Sequence, residues 1–307
     1  MYKGLRIAAV VPAHNEAAHI EEVISTMPDT VDVIAITDDV SSDDTFNIAK
    51  STGDPRVIVI KHKKNTGVGG AIITAHGQAL EQNCDINVVF AGDGQMDPKY
   101  LSNLLDPIIE GKCGYTKGNR LFSKKSTEGM PKYRIFGNRV LSYMNKAISG
   151  YWSISDPQNG YTAITAEVLK EIDYKTISAG YEFENDMLAR LNVYSIPVID
   201  INIPALYRDE VSGIKLSKVV PALLKNFFVS YFRRMYKKYV LKKSIIPTIL
   251  LLSFFATFIY SIFELVNTNY SKSIASLSLM LLSLIFLTFY DFKSEPKVTK
   301  KIKKTVN

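Results

Sequence analysis

The stretch Ile86-Asn87-Val88-Val89-Phe90-Ala91-Gly92-Asp93-Gly94-Gln95-Met96-Asp97-Pro98 decides how the chain is read. A short apolar, β-branched run passes abruptly into glycines and acids. The run predicts a buried strand over residues 86–90. Asp93 and Gln95 lie two apart, and in an extended loop residues i and i+2 point the same way. A carboxylate and an amide oxygen converging there can hold a hard cation such as Mg²⁺ or Mn²⁺, which favour oxygen ligands, substrate phosphates and water. Gly92 and Gly94 let the backbone approach a diphosphate closely.

The same grammar recurs upstream. Residues 6–11, 31–37 and 57–60 read as buried strands. Helical spacing follows the first (Ile20, Val23, Ile24, Met27) and the fourth (Leu101, Leu104, Leu105, Ile108, Ile109). Alternating strand and helix predicts an α/β fold with a mainly parallel sheet and helices on both faces. Ligands of such sheets bind beyond the carboxyl ends of the strands. All four ends are polar: Pro12-Ala13-His14-Asn15-Glu16, Asp38-Asp39, His62 with Asn65-Thr66-Gly67-Val68-Gly69-Gly70, and Ala91 to Gln95. They are expected to converge on one crevice. Asp38 and Asp39 suit ribose hydroxyls or a base N–H, while Ser41 to Thr45 suit a helix cap. Gly67 to Gly70 is expected to open a helix near a phosphate. The cations Lys117, Arg120, Arg134, Arg139, Arg208 and Lys215 are expected to read phosphates.

Charge divides the chain. The net charge is +7, from 37 Lys and Arg against 30 Asp and Glu. Residues 215–307 carry +13, and residues 1–214 carry −6. The basic part also holds two apolar runs, Ile245–Val266 and residues 274–290, each suited to crossing a bilayer that needs about 20 apolar residues. Lysines flank the pair on both sides, so the positive-inside rule predicts a hairpin with both ends in the cytoplasm. No signal peptide is read at Met1. The expected organisation is a cytoplasmic catalytic body (1–214), a basic interfacial amphipathic helix (215–243), two transmembrane helices (244–292) and a basic cytoplasmic tail (293–307), in a multi-pass protein of the cell membrane. Because the basic residues flank membrane spans, a nucleic-acid partner is not expected. Two cysteines, Cys84 and Cys113, exclude a disulfide scaffold and a four-cysteine zinc site.

Together, Val11-Pro12-Ala13-His14-Asn15-Glu16, Asp38-Asp39-Val40-Ser41-Ser42-Asp43, Asn65-Thr66-Gly67-Val68-Gly69 and Asp93-Gly94-Gln95-Met96-Asp97-Pro98 resemble the motifs of family 2 glycosyltransferases in order and spacing. Asp156-Pro157-Gln158-Asn159-Gly160-Tyr161 and Tyr181-Glu182-Phe183-Glu184-Asn185-Asp186 are similar to the later motifs of the dolichyl-phosphate mannosyltransferase and polyprenyl-phosphate glycosyltransferase branch. The likeness covers residues 5–215. It implies a GT-A nucleotide-sugar-binding domain, here followed by the transmembrane hairpin, and inverting transfer of one hexose from a GDP-mannose or UDP-glucose type of donor to a polyprenyl or dolichyl phosphate. It further implies that Pro12, Asn15 and Glu16 line the nucleoside pocket, that Asp39 contacts base or ribose, that Asp38, Asn65, Gly67, Gly69 and Arg208 belong to the wider nucleotide-sugar site, and that Asp93 and Gln95 sit at Mg²⁺ or Mn²⁺ and the diphosphate. Arg120 would approach the phosphates, and Asp156 would be the base or the acceptor-orienting residue.

The chain departs from the pattern at three places. Ala91 stands where the family usually has the first Asp of Asp-x-Asp, which leaves Asp93 as the single metal carboxylate. Val40 replaces a usual glycine. The Arg-x-x-Gly-x-Ser-Lys run appears as Arg208-Asp209-Glu210-Val211-Ser212-Gly213-Ile214-Lys215. The Gln-x-x-Arg-Trp motif of processive polysaccharide synthases is absent, and the lone tryptophan is Trp152. A saccharide or diacylglycerol acceptor is the alternative on the same fold. Ala91 also leaves open a non-catalytic, membrane-tethered nucleotide-sugar-binding protein.

Overall fold

The computed structural model describes residues 1–121, 142–180, 182–204 and 228–298. Its first half alternates as the sequence predicts: β1 (Ile7–Ala13), α1 (Ile20–Ser25), β2 (Val33–Asp38), α2 (Thr45–Ser51), β3 (Val57–Lys61), α3 (Val68–Glu81) and β4 (Ile86–Val89). Then come a 3₁₀ turn (Pro98–Tyr100), α4 (Leu101–Ile109), β5 (Tyr115–Asn119), β6 (Thr162–Thr165), α5 (Ala166–Glu171), α6 (Phe183–Val193) and β7 (Val198–Asn202). Residues 142–149 are also helical.

The seven strands form one sheet in the order β3-β2-β1-β4-β6-β5-β7. β1 runs parallel to β2 and β4, and β5 parallel to β7; β6 is antiparallel to both its neighbours. The chain steps outward from β1 to β3, then crosses back to place β4 on the other side of β1. That reversal puts a crevice beyond the carboxyl ends of β1 and β4, where open α/β sheets bind ligands.

The period-two alternation of β1 divides its side chains between two cores. Ile7, Ala9, Val11 and Ala13 pack with α1, Ala49 of α2 and Leu101, Leu104 and Leu105 of α4. Ala8 and Val10 pack with Ile72, Ala75 and Ala79 of α3, Leu169 of α5 and Leu188 of α6. Each fully buried Ile or Leu contributes about 1.5–3 kcal/mol by leaving water, so the sheet is rigid where the crevice begins. Cys84 and Cys113 are free and buried within these cores.

The C-terminal part is organised differently. Helical residues 228–235 lead through a π-helical turn (Tyr236–Val240) into α7 (Ile245–Val266) and α8 (Tyr270–Lys293). Both long helices are long and apolar enough to cross a membrane, and they pack together as a hairpin. Their contact includes polar pairs beside the buried Leu251 and Leu287: Ser253 and Ser283 share a hydrogen bond of 3.0 Å, and Ser261 and Ser273 one of 3.2 Å. Ile246, Leu252, Ile259, Phe263 and Ile285 stand exposed on the outside. Small residues inside and large apolar ones outside suit packing in lipid.

The segment before α7 buries two of its cations, Arg234 and Lys238. They turn inward because Asp291, in the last turn of α8, supplies the opposite charge at 2.7 Å and 3.1 Å. Residues 215–227 of that segment and residues 299–307 of the basic tail lie outside the described residues.

Candidate active site

β1 and β4 end side by side. A Cβ on Gly92 would lie 3.0 Å from the Pro12 carbonyl and 3.2 Å from the Glu16 side chain, so a glycine there eases the close passage of the loop after β4 past the end of β1. Beyond Pro12 the chain turns through Asn15 at φ +59°, a conformation that asparagine tolerates. Asn15 then ties two loops together. Its N–H donates to the Ser41 hydroxyl (3.0 Å), and its Oδ1 accepts from the Ser42 N–H (2.8 Å). The Glu16 N–H donates to the Thr45 hydroxyl (2.8 Å). Pro12, Asn15, Glu16 and the loop after β2 are thus one assembly.

Asp38 and Asp39 close β2 in different ways. Asp38 is fully buried, and its Oδ1 has no hydrogen-bond partner among the described residues. Asp39 accepts from His62 Nδ1 (2.7 Å), the Thr66 N–H (2.9 Å) and hydroxyl (3.1 Å), and the Gly67 N–H (2.8 Å). Burial alone would raise its pKa; these bonds prevail and hold the carboxyl below the usual range. The Asn65 amide donates to the Asp39 carbonyl (3.2 Å). Asp39 therefore shapes the Asn65–Gly67 loop with oxygens that the sequence reading assigned to ribose or base.

The glycines of that loop also serve packing. They do open α3, as predicted. Their bare faces, however, meet protein and not an open crevice. A Cβ on Gly69 would lie 2.7 Å from the Ser178 carbonyl, and one on Gly67 2.8 Å from the Ala179 carbonyl. The Gly70 N–H donates to Ala179 (3.2 Å). Gly67 also needs its φ of +82°. Close approach is required here, but by residues 178–180.

After β4, Asp93 accepts from the Gln95 N–H (2.9 Å) across Gly94 at φ +71°. Asp97 caps the 3₁₀ turn, and its carbonyl accepts from the Tyr161 hydroxyl (3.1 Å). No group of three His, Cys, Asp or Glu that could hold a metal occurs among the described residues. The donors present are one carboxylate and one amide. That set fits a cation completed by phosphate oxygens and water, the usual manner of Mg²⁺.

Asp156 and Arg120 meet across the sheet. Asp156 is buried and accepts from Arg120 Nε (2.8 Å), Nη2 (3.1 Å) and the backbone N–H (3.1 Å). Lys117 was expected to read phosphate, but it is fully buried and its Nζ donates to the Asn159 carbonyl. Strand β5 points it into the protein. Burial lowers its pKa, opposed by the carboxylates of Glu184, Asp156 and Asp200. Burial likewise raises the Glu184 carboxyl, and pushes Asp200 up to about 6. Asp200 was missed in the sequence. The available signal was a lone acid within Val198-Ile199-Asp200-Ile201. Its Oδ2 accepts from the Ser155 N–H (2.7 Å), one residue before Asp156. Glu184, Asp156 and Asp200 thus all act electrostatically on one buried lysine beside the Asp156–Arg120 pair. Arg134, Arg139, Tyr181, Arg208 and Lys215 lie outside the described residues.

Residues 8–173 match the sequence model of glycosyl transferase family 2. The chain belongs to that family. It is 32% identical to a UDP-N-acetylglucosamine–dolichyl-phosphate N-acetylglucosaminyltransferase of Methanococcus voltae, over 62% of this chain and 84% of that one. It is 27% identical to an undecaprenyl-phosphate mannosyltransferase of Micrococcus luteus, over 67% and 85%. Among solved structures, it resembles glucosyl-3-phosphoglycerate synthase from Mycobacterium tuberculosis in complex with Mn²⁺, UDP-glucose and phosphoglyceric acid, with a TM-score of 0.54, 20% identity and coverage of 75% and 80%. The fold of this glycosyltransferase is thus GT-A, and the crevice between β1 and β4 is where the GT-A sheet reverses its strand order.

Proposed function

We propose that this glycosyltransferase moves one hexose unit from a nucleotide sugar to a polyprenyl or dolichyl phosphate, with α7 and α8 anchoring the body to the cytoplasmic face of a membrane. One observation carries the reading. The segment that ends in Asp156 begins against the end of α8, where the Trp152 and Phe292 rings meet edge to face at 5.8 Å. The same short segment therefore touches both the apolar hairpin and the Asp156–Arg120 pair. A lipid-borne acceptor needs that adjacency; a soluble saccharide does not. The lipid-phosphate transferases named above support the acceptor class, and the donor in this reading is a nucleotide sugar of the GDP-mannose or UDP-glucose type.

In this reading Pro12, Asn15, Glu16 and Asp38 line the nucleoside end. Asp39, Asn65, Gly67 and Gly69 hold the adjoining loop. Asp93 and Gln95 hold Mg²⁺ or Mn²⁺ beside the diphosphate, and such a cation neutralises charge on the leaving nucleoside diphosphate. Arg120 assists from the rim. An acceptor phosphate oxygen attacks the anomeric carbon from the face opposite the leaving group, the bond to the diphosphate oxygen breaks, and the configuration inverts. A phosphate monoester has its second pKa near ~6, so it is largely ionised at neutral pH. Asp156 accordingly serves to orient the acceptor more than to deprotonate it.

The test begins with thermal shift of the purified protein against a panel of nucleotide sugars, with and without Mg²⁺ or Mn²⁺. Labelled forms of the stabilising donor are then supplied with polyprenyl phosphate in vesicles. The expected product is one sugar per lipid phosphate, lost in Asp93→Ala. Transfer to a saccharide or diacylglycerol with none to polyprenyl phosphate would overturn the reading.

A further inference from the structure

Arg234 sits where the juxtamembrane helix, the catalytic body and the hairpin meet. It is 2% exposed, and all five of its N–H donors are used. Nε donates to the Ile148 carbonyl (2.6 Å), and Nη2 to the Ala147 carbonyl (2.8 Å). Nη1 donates to Asn192 Oδ1 (3.0 Å) on α6. The remaining two bonds form a fork on Asp291, 2.9 Å and 2.7 Å long, in the last turn of α8. Lys238 Nζ (3.1 Å) and the Tyr239 hydroxyl (2.7 Å) donate to the same carboxylate. Gly150, at φ +73°, presses bare backbone on the guanidinium, because a Cβ there would lie 2.5 Å from Nη1.

From that point the chain runs to the site under continuous restraint. Trp152 packs on Phe292. The Ser153 N–H and hydroxyl donate to Glu295 at 3.0 Å and 2.5 Å. The Ser155 N–H is held by Asp200, and Asp156 by Arg120. The body contributes holds of its own, from Asn192 Nδ2 to the Gly150 carbonyl (3.0 Å) and from Lys146 Nζ to the Trp152 carbonyl (2.8 Å), but at each of Gly150, Trp152 and Ser153 the end of α8 or the arginine bound to it adds another. A buried ion pair is a poor means of gaining stability, since apolar residues of like volume do as well or better. What a bidentate fork adds is a fixed orientation.

We infer that Arg234 and Asp291 are positioning residues that set the height of the Asp156 segment relative to the bilayer, so that Asp156 and Arg120 meet a phosphate held at headgroup depth. The inference rests on the lipid-phosphate reading above. It predicts a selective defect. An acceptor tethered by a long chain cannot adjust to a displaced site, whereas a short water-soluble one can.

The test uses the full chain in vesicles containing anionic lipid, with two acceptors: a long-chain polyprenyl phosphate, and a short, water-soluble isoprenoid phosphate. Asp291→Asn is expected to lower kcat on the long-chain acceptor by about tenfold to a hundredfold, the scale on which misplacement of about 1 Å acts. The donor KM and the rate on the short acceptor should be unchanged. Asp291→Glu should recover most of the loss. Glu295→Ala, which loosens the same segment without leaving a buried charge unpaired, should give a smaller loss with the same selectivity. Trp152, the single tryptophan, reports the joint directly; its emission should shift to the red in Asp291→Asn. Equal losses on both acceptors, or no loss on either when wild type is active, would overturn the positioning role alone. Failure of wild type to glycosylate either acceptor would instead overturn the lipid-phosphate reading.

Discussion

Arg120 grips Asp156 by two side-chain bonds, of 2.8 Å and 3.1 Å, and a third of 3.1 Å from its own backbone. The two residues come from distant parts of the chain, at the end of β5 and in the approach to β6. Residues joined in this way act as a unit. Arg120→Ala and Asp156→Asn should each lower kcat by about 10²-fold or more. The double variant should be little worse than the poorer single one, because each change already breaks the pair. Steady-state kinetics of the four proteins decide it, and effects that multiply would show two independent roles.

Val40 stands where glycine is usual in the family, and it adopts φ +62°. A left-handed backbone costs an L-residue about 1–2 kcal/mol, and β-branching makes it worse. Glycine returns about 0.4–1 kcal/mol of this through the greater freedom of the unfolded chain. Val40→Gly should therefore stabilise the protein by about 0.5–1 kcal/mol, read as a rise in the denaturation midpoint. A drop would mean that the Val40 side chain supports the loop.

Two glycines of α3 should respond oppositely to one added methyl group. In Gly69→Ala the new Cβ falls 2.7 Å from the Ser178 carbonyl, so the contact with residues 178–180 must open. The expected loss is about 1–3 kcal/mol. In Gly77→Ala the nearest neighbour is the Tyr174 hydroxyl at 3.2 Å, and the helix gains up to about 1 kcal/mol in propensity. Thermal unfolding of the pair distinguishes packing from a phosphate role, since a pure phosphate contact at Gly69 would leave stability intact.

His76 makes the fold sensitive to acid. It is buried in α3 beside Asn87, and burial lowers its pKa to about 3. In the unfolded chain it titrates near the ordinary value of 6.5. Between these values the unfolded state binds a proton that the folded state refuses. Stability should thus be full above about 6.5 and fall as pH decreases, by up to about 1.4 kcal/mol per pH unit. Urea midpoints from pH 7 to pH 5 should show this slope, and His76→Gln should flatten it.

The left half of the sheet was legible because β1 to β4 are apolar runs with abrupt polar ends, and a parallel sheet buried on both faces writes that pattern directly. The right half was not. β5 reads Tyr115-Thr116-Lys117-Gly118-Asn119 and has almost no apolar signature, although it is buried throughout. β6 has only four residues. At the site, Asp93, Asp156 and Arg120 are proposed from sequence because their residue types state their chemistry. Gly69 leaves two readings in sequence, because a glycine needed near a phosphate and one needed near a carbonyl look the same. Their difference lies in Ser178 and Ala179, far along the chain. The burial of Arg234 and Lys238 is illegible in sequence for the same reason: Asp291 lies 57 and 53 positions away.

The late position of Asp291 also bears on how the protein is made. A ribosome delivers Arg234 first, and the carboxylate that neutralises it arrives only with the final turn of α8. Until then the joint would bury an uncompensated charge, a state worth about 3–5 kcal/mol against assembly. The body can fold around its sheet during synthesis, but it can dock on the hairpin only after the second long helix is complete. Assembly of the joint is therefore expected to wait for the second long helix, and chains interrupted before Asp291 should leave Arg234 without its fork.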